Sequence, residues 1–75
     1  MSRKPAVHTV PHGDGWANRT EGASRVFGVA PTQAEAARLG QDSARNRGTE
    51  WMGHRENGTI GERRSYGGDP FPPRG

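Results

Sequence analysis

Apolar residues along this chain fall into short alternating runs punctuated by glycine and proline, with one longer stretch of helical spacing between them. Residues 7 to 11 alternate as a strand does, His12-Gly13-Asp14-Gly15 supplies turn residues, and residues 16 to 20 can return antiparallel to the first run. Pro11 has no backbone N–H and marks an edge of the sheet. Glu21-Gly22-Ala23-Ser24 reads as a second turn. Arg25-Val26-Phe27-Gly28-Val29 reads as a third strand, with Phe27 and Val29 sharing one face by the period of two.

Pro31 ends that strand, and Thr32 followed by Glu35 three positions later forms a capping box, which predicts a helix over residues 33–47. Its inward stripe is Ala36, Leu39, Gly40, Ser43 and Ala44, so it approaches the sheet closely and buries little area. Arg45 and Arg47 suit the negative end of the helix dipole, and Gly48 is the expected left-handed stop. Further on, Asn57-Gly58 predicts a type I′ hairpin. A two-residue or a four-residue loop puts Trp51 and Gly53 on one face with Ile60 and Glu62, and that more apolar face should meet the helix. Met52, His54, Thr59, Gly61 and Arg63 then share the other face, with His54 and Arg63 looking outward. The result is an α+β fold: a small antiparallel sheet in the order β-β-β-α-β-β with one helix packed on it.

The last stretch, Ser65-Tyr66-Gly67-Gly68-Asp69-Pro70-Phe71-Pro72-Pro73-Arg74-Gly75, is unsuited to a helix or a central strand. Tyr66 and Phe71 nonetheless give it aromatic surface that a solvated tail does not need. The chain thus divides into an N-terminal arm (1–5), one small domain (6–66) and a Pro/Gly-rich C-terminal strap (67–75). Composition adds weight to the strap. Val, Leu, Ile and Phe number only eight (Val7, Val10, Val26, Phe27, Val29, Leu39, Ile60, Phe71), so the core is thin and oligomerisation would relieve it. The strap either packs back in cis, with Phe71 covering a gap between helix and sheet, or serves in trans as a recognition peptide anchored by Tyr66 and Phe71; the shortage of core favours cis.

Charge narrows the function classes. The formal net charge is +3, and setting aside Arg3, Lys4 and Arg74 in the tails leaves 8 basic against 8 acidic residues, Asp69 of the strap among the latter, without an evident basic face. The absence of cysteine excludes disulfides and thiolate metal sites. No apolar run has the length of a signal peptide core or a membrane span, so a cytoplasmic protein with no membrane role is expected.

Taken together, His8-Thr9-Val10-Pro11-His12, Gly15-Trp16-Ala17, Glu21-Gly22, Thr32-Gln33-Ala34-Glu35-Ala36, His54, Asn57-Gly58, Ile60 and the terminal Ser65–Gly75 stretch resemble the bacterial domain-of-unknown-function family 2188. The resemblance covers nearly the whole chain and implies a small bacterial protein with no assigned activity, substrate or cofactor. The chain departs from the family pattern at Asn18 and Gly53, where aliphatic residues are usual, and at Gly68; the first two departures would thin the sheet.

Site chemistry is sparse. His8 and His12 lie about 13 Å apart along an extended strand, too far to share a metal. His54 lacks a recognisable carboxylate partner, Ser24 and Ser65 sit in no nucleophile motif, and Gly13-Asp14-Gly15 lacks the lysine and helix of a phosphate loop. No catalytic, cofactor or metal site is therefore expected. The leading expectation is a non-enzymatic binding or accessory module with a protein partner or a second copy of itself. The alternative is nucleic-acid binding on the outer sheet face, with a histidine-dependent ribonuclease ranking behind it. The candidate interaction surface is Trp16, Arg19, Arg25, His54, Arg63, Tyr66 and Phe71.

Overall fold

A computed structural model describes residues 5–66. Residues 1–4 of the arm and the strap 67–75, with Phe71, lie outside the described residues. The elements follow one another as β1 (Val7–His12), β2 (Gly15–Thr20), β3 (Val26–Ala30), α1 (Gln33–Arg47), β4 (Glu50–His54) and β5 (Ile60–Ser65). They form one five-stranded sheet in the order β3-β2-β1-β4-β5, with α1 packed on one face. The sheet is mostly antiparallel; β1 and β4 pair in parallel at its centre. The helix makes this possible, because it carries the chain from one edge of the sheet back to the middle, as a parallel connection requires.

Pro11 is in the strand at the centre of the sheet, yet it does not break a ladder. The β1–β4 pairing ends at Thr9 opposite Gly53, and Pro11 stands opposite Trp16 in the non-hydrogen-bonded pair next to the His12–Gly15 closing pair, so its nitrogen faces away from β2 at a point where no ladder needs a donor. At the first hairpin Gly13 has φ +57 and Asp14 does not share that sign, the pattern of a type II′ turn.

The helix keeps its expected limits and cap residues, and of the capping box the Thr32 half is made. Thr32 is extended (φ −124, ψ 155) and its hydroxyl accepts from the Glu35 N–H. Gly48 is left-handed, and its N–H and that of Thr49 close on the Arg45 and Ala44 carbonyls as a Schellman pair. The buried face is Ala36, Gly40 and Ala44. Leu39, expected within the stripe, is 45 % exposed; the smallest side chains settle lowest on the sheet and leave the leucine at the flank.

The second hairpin differs from expectation. Among the described residues none other than glycine has positive φ, so Asn57 cannot take the first left-handed position of a type I′ turn. Instead the Gly58 N–H donates to the Arg55 carbonyl, Gly58 has φ +93, and the Asn57 side chain accepts from the Thr59 N–H and hydroxyl. This is the type I turn followed by a left-handed glycine that longer hairpin loops prefer. A register shift follows: Gly53 pairs with Glu62 but His54 with Ile60, which leaves Gly61 as the extra residue. Ile60 therefore stands opposite His54, 44 % exposed, rather than beside Trp51 under the helix. Glu62 keeps its expected face.

With so few aliphatic residues, the helix–sheet interface is partly polar. Trp51, Val7, Asn18 and Thr9 are the largest fully buried side chains. The Trp51 indole N–H donates to the Thr9 hydroxyl at 2.8 Å, and that hydroxyl donates to the Asn18 side-chain carbonyl. The Asn18 amide then donates to the Ala36 carbonyl of the helix at 2.9 Å and to the Gly28 carbonyl at 3.3 Å. Every polar atom of this buried relay has a partner, so Asn18 fastens helix to sheet where an aliphatic residue could only pack. Gly53 is also accounted for. A Cβ there would lie 2.6 Å from the Trp51 ring, so the glycine makes room for the indole that heads the relay. Neither departure thins the fold.

Candidate binding face

The helix covers one face of the sheet and the other has no second layer among the described residues. The strand registers align one transverse row on that outer face: Val26 pairs with Arg19, Arg19 with His8, His8 with Met52, and Met52 with Arg63. Alternation explains the selection. Val7 and Thr9 turn into the core at 0 % exposure, so His8 between them must turn out. Arg19 and Arg63 are exposed at three strand spacings from each other, roughly 14 Å at 4.7–4.9 Å per strand.

At the middle of the row, three side chains and one backbone carbonyl from four parts of the chain join. The His8 and His54 rings meet through Nδ1 of His8 and Nε2 of His54 at 2.9 Å, with centroids 5.1 Å apart and planes inclined by 46°. Nε2 of His8 reaches the Glu21 carboxylate at 2.9 Å, and Nδ1 of His54 reaches the Gly58 carbonyl at 2.8 Å. A carbonyl and a carboxylate can only accept, so three hydrogen bonds between these two ends need three protons. Two neutral imidazoles and a carboxylate supply two. The chain of bonds is complete only when it carries one further proton, shared among His8, His54 and Glu21. In that state all four ring nitrogens are engaged within the protein. The cluster ties β1 and β4 to the turn after β2 and to the last hairpin.

The predicted site residues are thereby sorted. Arg19, His54 and Arg63 come together on the outer face. Trp16 pairs with Pro11 and with Ala30 and, being in step with Asn18, belongs to the helix side of β2. Tyr66 also belongs there: half-buried, it packs on the Val7, Ala44 and Trp51 cluster, donates its N–H to the Thr49 carbonyl at 3.1 Å, and has the Arg45 guanidinium 5.6 Å from its ring centroid. Arg25 is exposed in the loop before β3, and Phe71 lies outside the described residues. His8 and Glu21 were missed as site residues. They lie 46 and 33 positions from His54, and only the parallel β1–β4 pairing, which no local pattern announces, brings the two histidines together. His12 remains apart, exposed at the end of β1.

Among the described residues no group of three or more His, Cys, Asp or Glu side chains is arranged to hold a metal ion, and no helix is long and apolar enough to cross a membrane. On the opposite side of the sheet, Thr9, Gln33, Ala34, Ala37, Trp51 and Gly53 together with residues of the last hairpin line a cavity of about 410 Å³.

Comparison with known proteins places these features in a group. Residues 7–66 match a family described as uncharacterized protein conserved in bacteria (DUF2188). The match ends at Tyr66, so the Asp-Pro-Phe-Pro-Pro ending lies beyond it. The chain is 36 % identical over 55 residues to the uncharacterized protein YdaT of Bacillus subtilis strain 168, a stretch covering 73 % of this chain and 37 % of that protein. The chain thus spans little more than a third of the length of this relative. No solved structure matches it significantly.

Proposed function

The chain belongs to this family of uncharacterised proteins conserved in bacteria, and we propose that it is a non-enzymatic binding module whose partner docks on the outer face of the sheet. The observation that carries this reading is the engagement of all four imidazole nitrogens within the His8–His54–Glu21 cluster. A general base must offer a lone pair to its substrate, and a general acid a proton not already bonded inside the protein. Here each of the four ring nitrogens already has a partner inside the protein within hydrogen-bond distance. The cluster acts as a brace that holds the Arg19–His8–Met52–Arg63 row in one geometry, and a preset row of side chains lowers the ordering cost of binding.

A second reading concerns the ligand. Arg19 and Arg63 flank a polarizable Met52 and an imidazole on an open sheet, an arrangement suited to phosphates with bases between them. The near balance of charge in the central part of the chain makes a protein partner the first choice and nucleic acid the second.

One experiment separates the readings. The immobilised full chain and its Arg19→Ala/Arg63→Ala variant are exposed to cell extract with and without nuclease. Partners retained by the parent, lost by the variant and resistant to nuclease support the protein reading. Nuclease-sensitive capture, together with direct binding of RNA or DNA oligonucleotides at low salt, supports the second. Equal capture by parent and variant refutes the use of this face.

A further inference from the structure

β5 is the last strand on its side of the sheet, and every one of its residues is exposed. Among the described residues nothing pairs with its outer edge. The opposite edge is different in kind: β3 is interrupted where Gly28 takes φ +59 and its register with β2 shifts, so its ladder cannot be extended evenly.

The register of β4 with β5 determines which backbone groups β5 presents. The Tyr66 N–H donates to the Thr49 carbonyl at 3.1 Å, which makes these two a hydrogen-bonded pair. Antiparallel pairs alternate, so Trp51–Arg64 and Gly53–Glu62 are hydrogen-bonded pairs as well, whereas Glu50–Ser65 and Met52–Arg63 are not. Arg63 and Ser65 therefore turn their N–H and C=O groups away from β4, toward the free edge.

We propose that this edge joins the β5 of a second copy of the chain, antiparallel, with Arg63 opposite Arg63 on a two-fold axis. Outward backbone groups must meet outward groups, so Arg63 can stand opposite Arg63, Ser65 or the bulged Gly61 of the other strand. Charge selects among the three. Ser65 opposite Arg63 sets Arg64 against Arg64, and Gly61 opposite Arg63 sets Glu62 against Glu62. Both put like charges in the closer, non-hydrogen-bonded kind of pair, where they destabilise. With Arg63 opposite Arg63, those closer positions hold Glu62 against Arg64, twice. The two Arg63 side chains then meet in the wider, hydrogen-bonded kind of pair and can diverge over the open outer face.

The side chains are already arranged for this. Arg64 donates to Glu62 of its own strand through Nε at 3.2 Å and through a terminal nitrogen at 2.9 Å, both to the same carboxylate oxygen. The other oxygen of Glu62 and the other terminal nitrogen of Arg64 have no partner among the described residues. In the pairing they meet their counterparts in the second copy, and the four side chains close a ring in which each charge has only opposite neighbours. The same charges set neighbouring registers at a disadvantage, which gives the edge specificity.

The pairing joins two five-stranded sheets into one of ten strands with both helices on one side. It uses the edge of the sheet, so it stands apart from the docking role proposed for the outer face. Sedimentation equilibrium of the full chain, at concentrations up to about 1 mM, the weak end of specific association, tests it. A monomer–dimer equilibrium is expected, since pairing one short strand buries less than a standard interface. Arg63→Pro removes the outward N–H and none that β4 uses, so circular dichroism should show the fold kept while the dimer is lost. Glu62→Arg and Arg64→Glu, each alone, should weaken association about tenfold or more. Their equimolar mixture sets arginine against glutamate at all four positions and should restore the dimer. A mixture no more associated than its components would overturn the pairing. So would a parent that stays monomeric throughout, or a dimer unchanged in Arg63→Pro, which would lie on another surface.

Discussion

Replacing Gly40 by alanine sets two opposed effects against each other, and the structure says which wins. In an exposed helix interior the change is worth about 1 kcal/mol in favour of the helix. At position 40, however, the new methyl carbon would lie 2.1 Å from the Asn18 side-chain oxygen and 2.9 Å from the Thr9 hydroxyl. Neither neighbour can give way without cost, because both are 0 % exposed and both belong to the relay from Trp51 to Ala36. If Asn18 turns aside, at least two buried polar groups lose partners, at about 1–3 kcal/mol each. Less the propensity gain, the net cost is about 1–5 kcal/mol. A domain of this size rarely holds more than about 3–5 kcal/mol in all, so Gly40→Ala should lie near or below the threshold of folding. Urea unfolding followed by far-ultraviolet circular dichroism, in sucrose where the variants are weak, measures the effect. The companion variant is Asn18→Ala. In that background the nearest obstruction is gone and only the Thr9 hydroxyl, released from its bond to Asn18, has to shift, so adding Gly40→Ala should cost much less than in the parent, with a coupling of about 2 kcal/mol, within the range seen for residues in contact. A single Gly40→Ala variant more stable than the parent would refute the reasoning, since the helix would then ride higher above the sheet than the relay allows.

Three further outcomes are expected. Trp51→Phe keeps an aromatic ring but removes the donor to Thr9, and should cost about 1–3 kcal/mol in the same unfolding assay. Thr32→Ala removes the hydroxyl that caps the Glu35 N–H and should cost about 1 kcal/mol, read as a melting-temperature drop of roughly 4–8 °C. His8→Ala and His54→Ala should each destabilise, and their double variant should cost less than the sum of the two, because either change alone leaves the other ring and one end of the cluster unpartnered. Additive effects in that cycle would show that the two rings are not energetically coupled.

Local chemistry announced the elements that local chemistry builds. Thr32 with Glu35, and Gly48 after Arg47, determine the helix ends through bonds a few residues long, and they are legible in the sequence for that reason. Glycine around Asp14 likewise announced the first hairpin. Features decided by distant parts of the chain were not legible. The parallel β1–β4 pairing depends on where the helix returns the chain, and with it comes the His8–His54 contact. The exposure of Leu39 depends on how closely Gly40 lets the helix approach. Ile60 changed faces because one residue, Gly61, was added to a register that the alternation of side chains cannot count. Asn18 is the instructive residue: as a departure from an aliphatic pattern it reads as a weakness, whereas its three hydrogen bonds make it the fastening between layers.

The parallel pairing of β1 with β4 also has a consequence in time. Val7 meets Trp51 across 44 positions of sequence, and no hairpin leads to that contact. Closing so long a loop is entropically slow, so the centre of the sheet should form late while the β1–β2 and β4–β5 hairpins form early. During synthesis the first three strands emerge as a ribbon whose β1 edge has no partner until β4 leaves the ribosome, and an unpaired strand edge is open to pairing with other chains. Pro11 on that edge, with no N–H to offer, is then a guard for the nascent chain: it limits the ribbon that a neighbouring copy could extend during the interval before the helix brings β4 home.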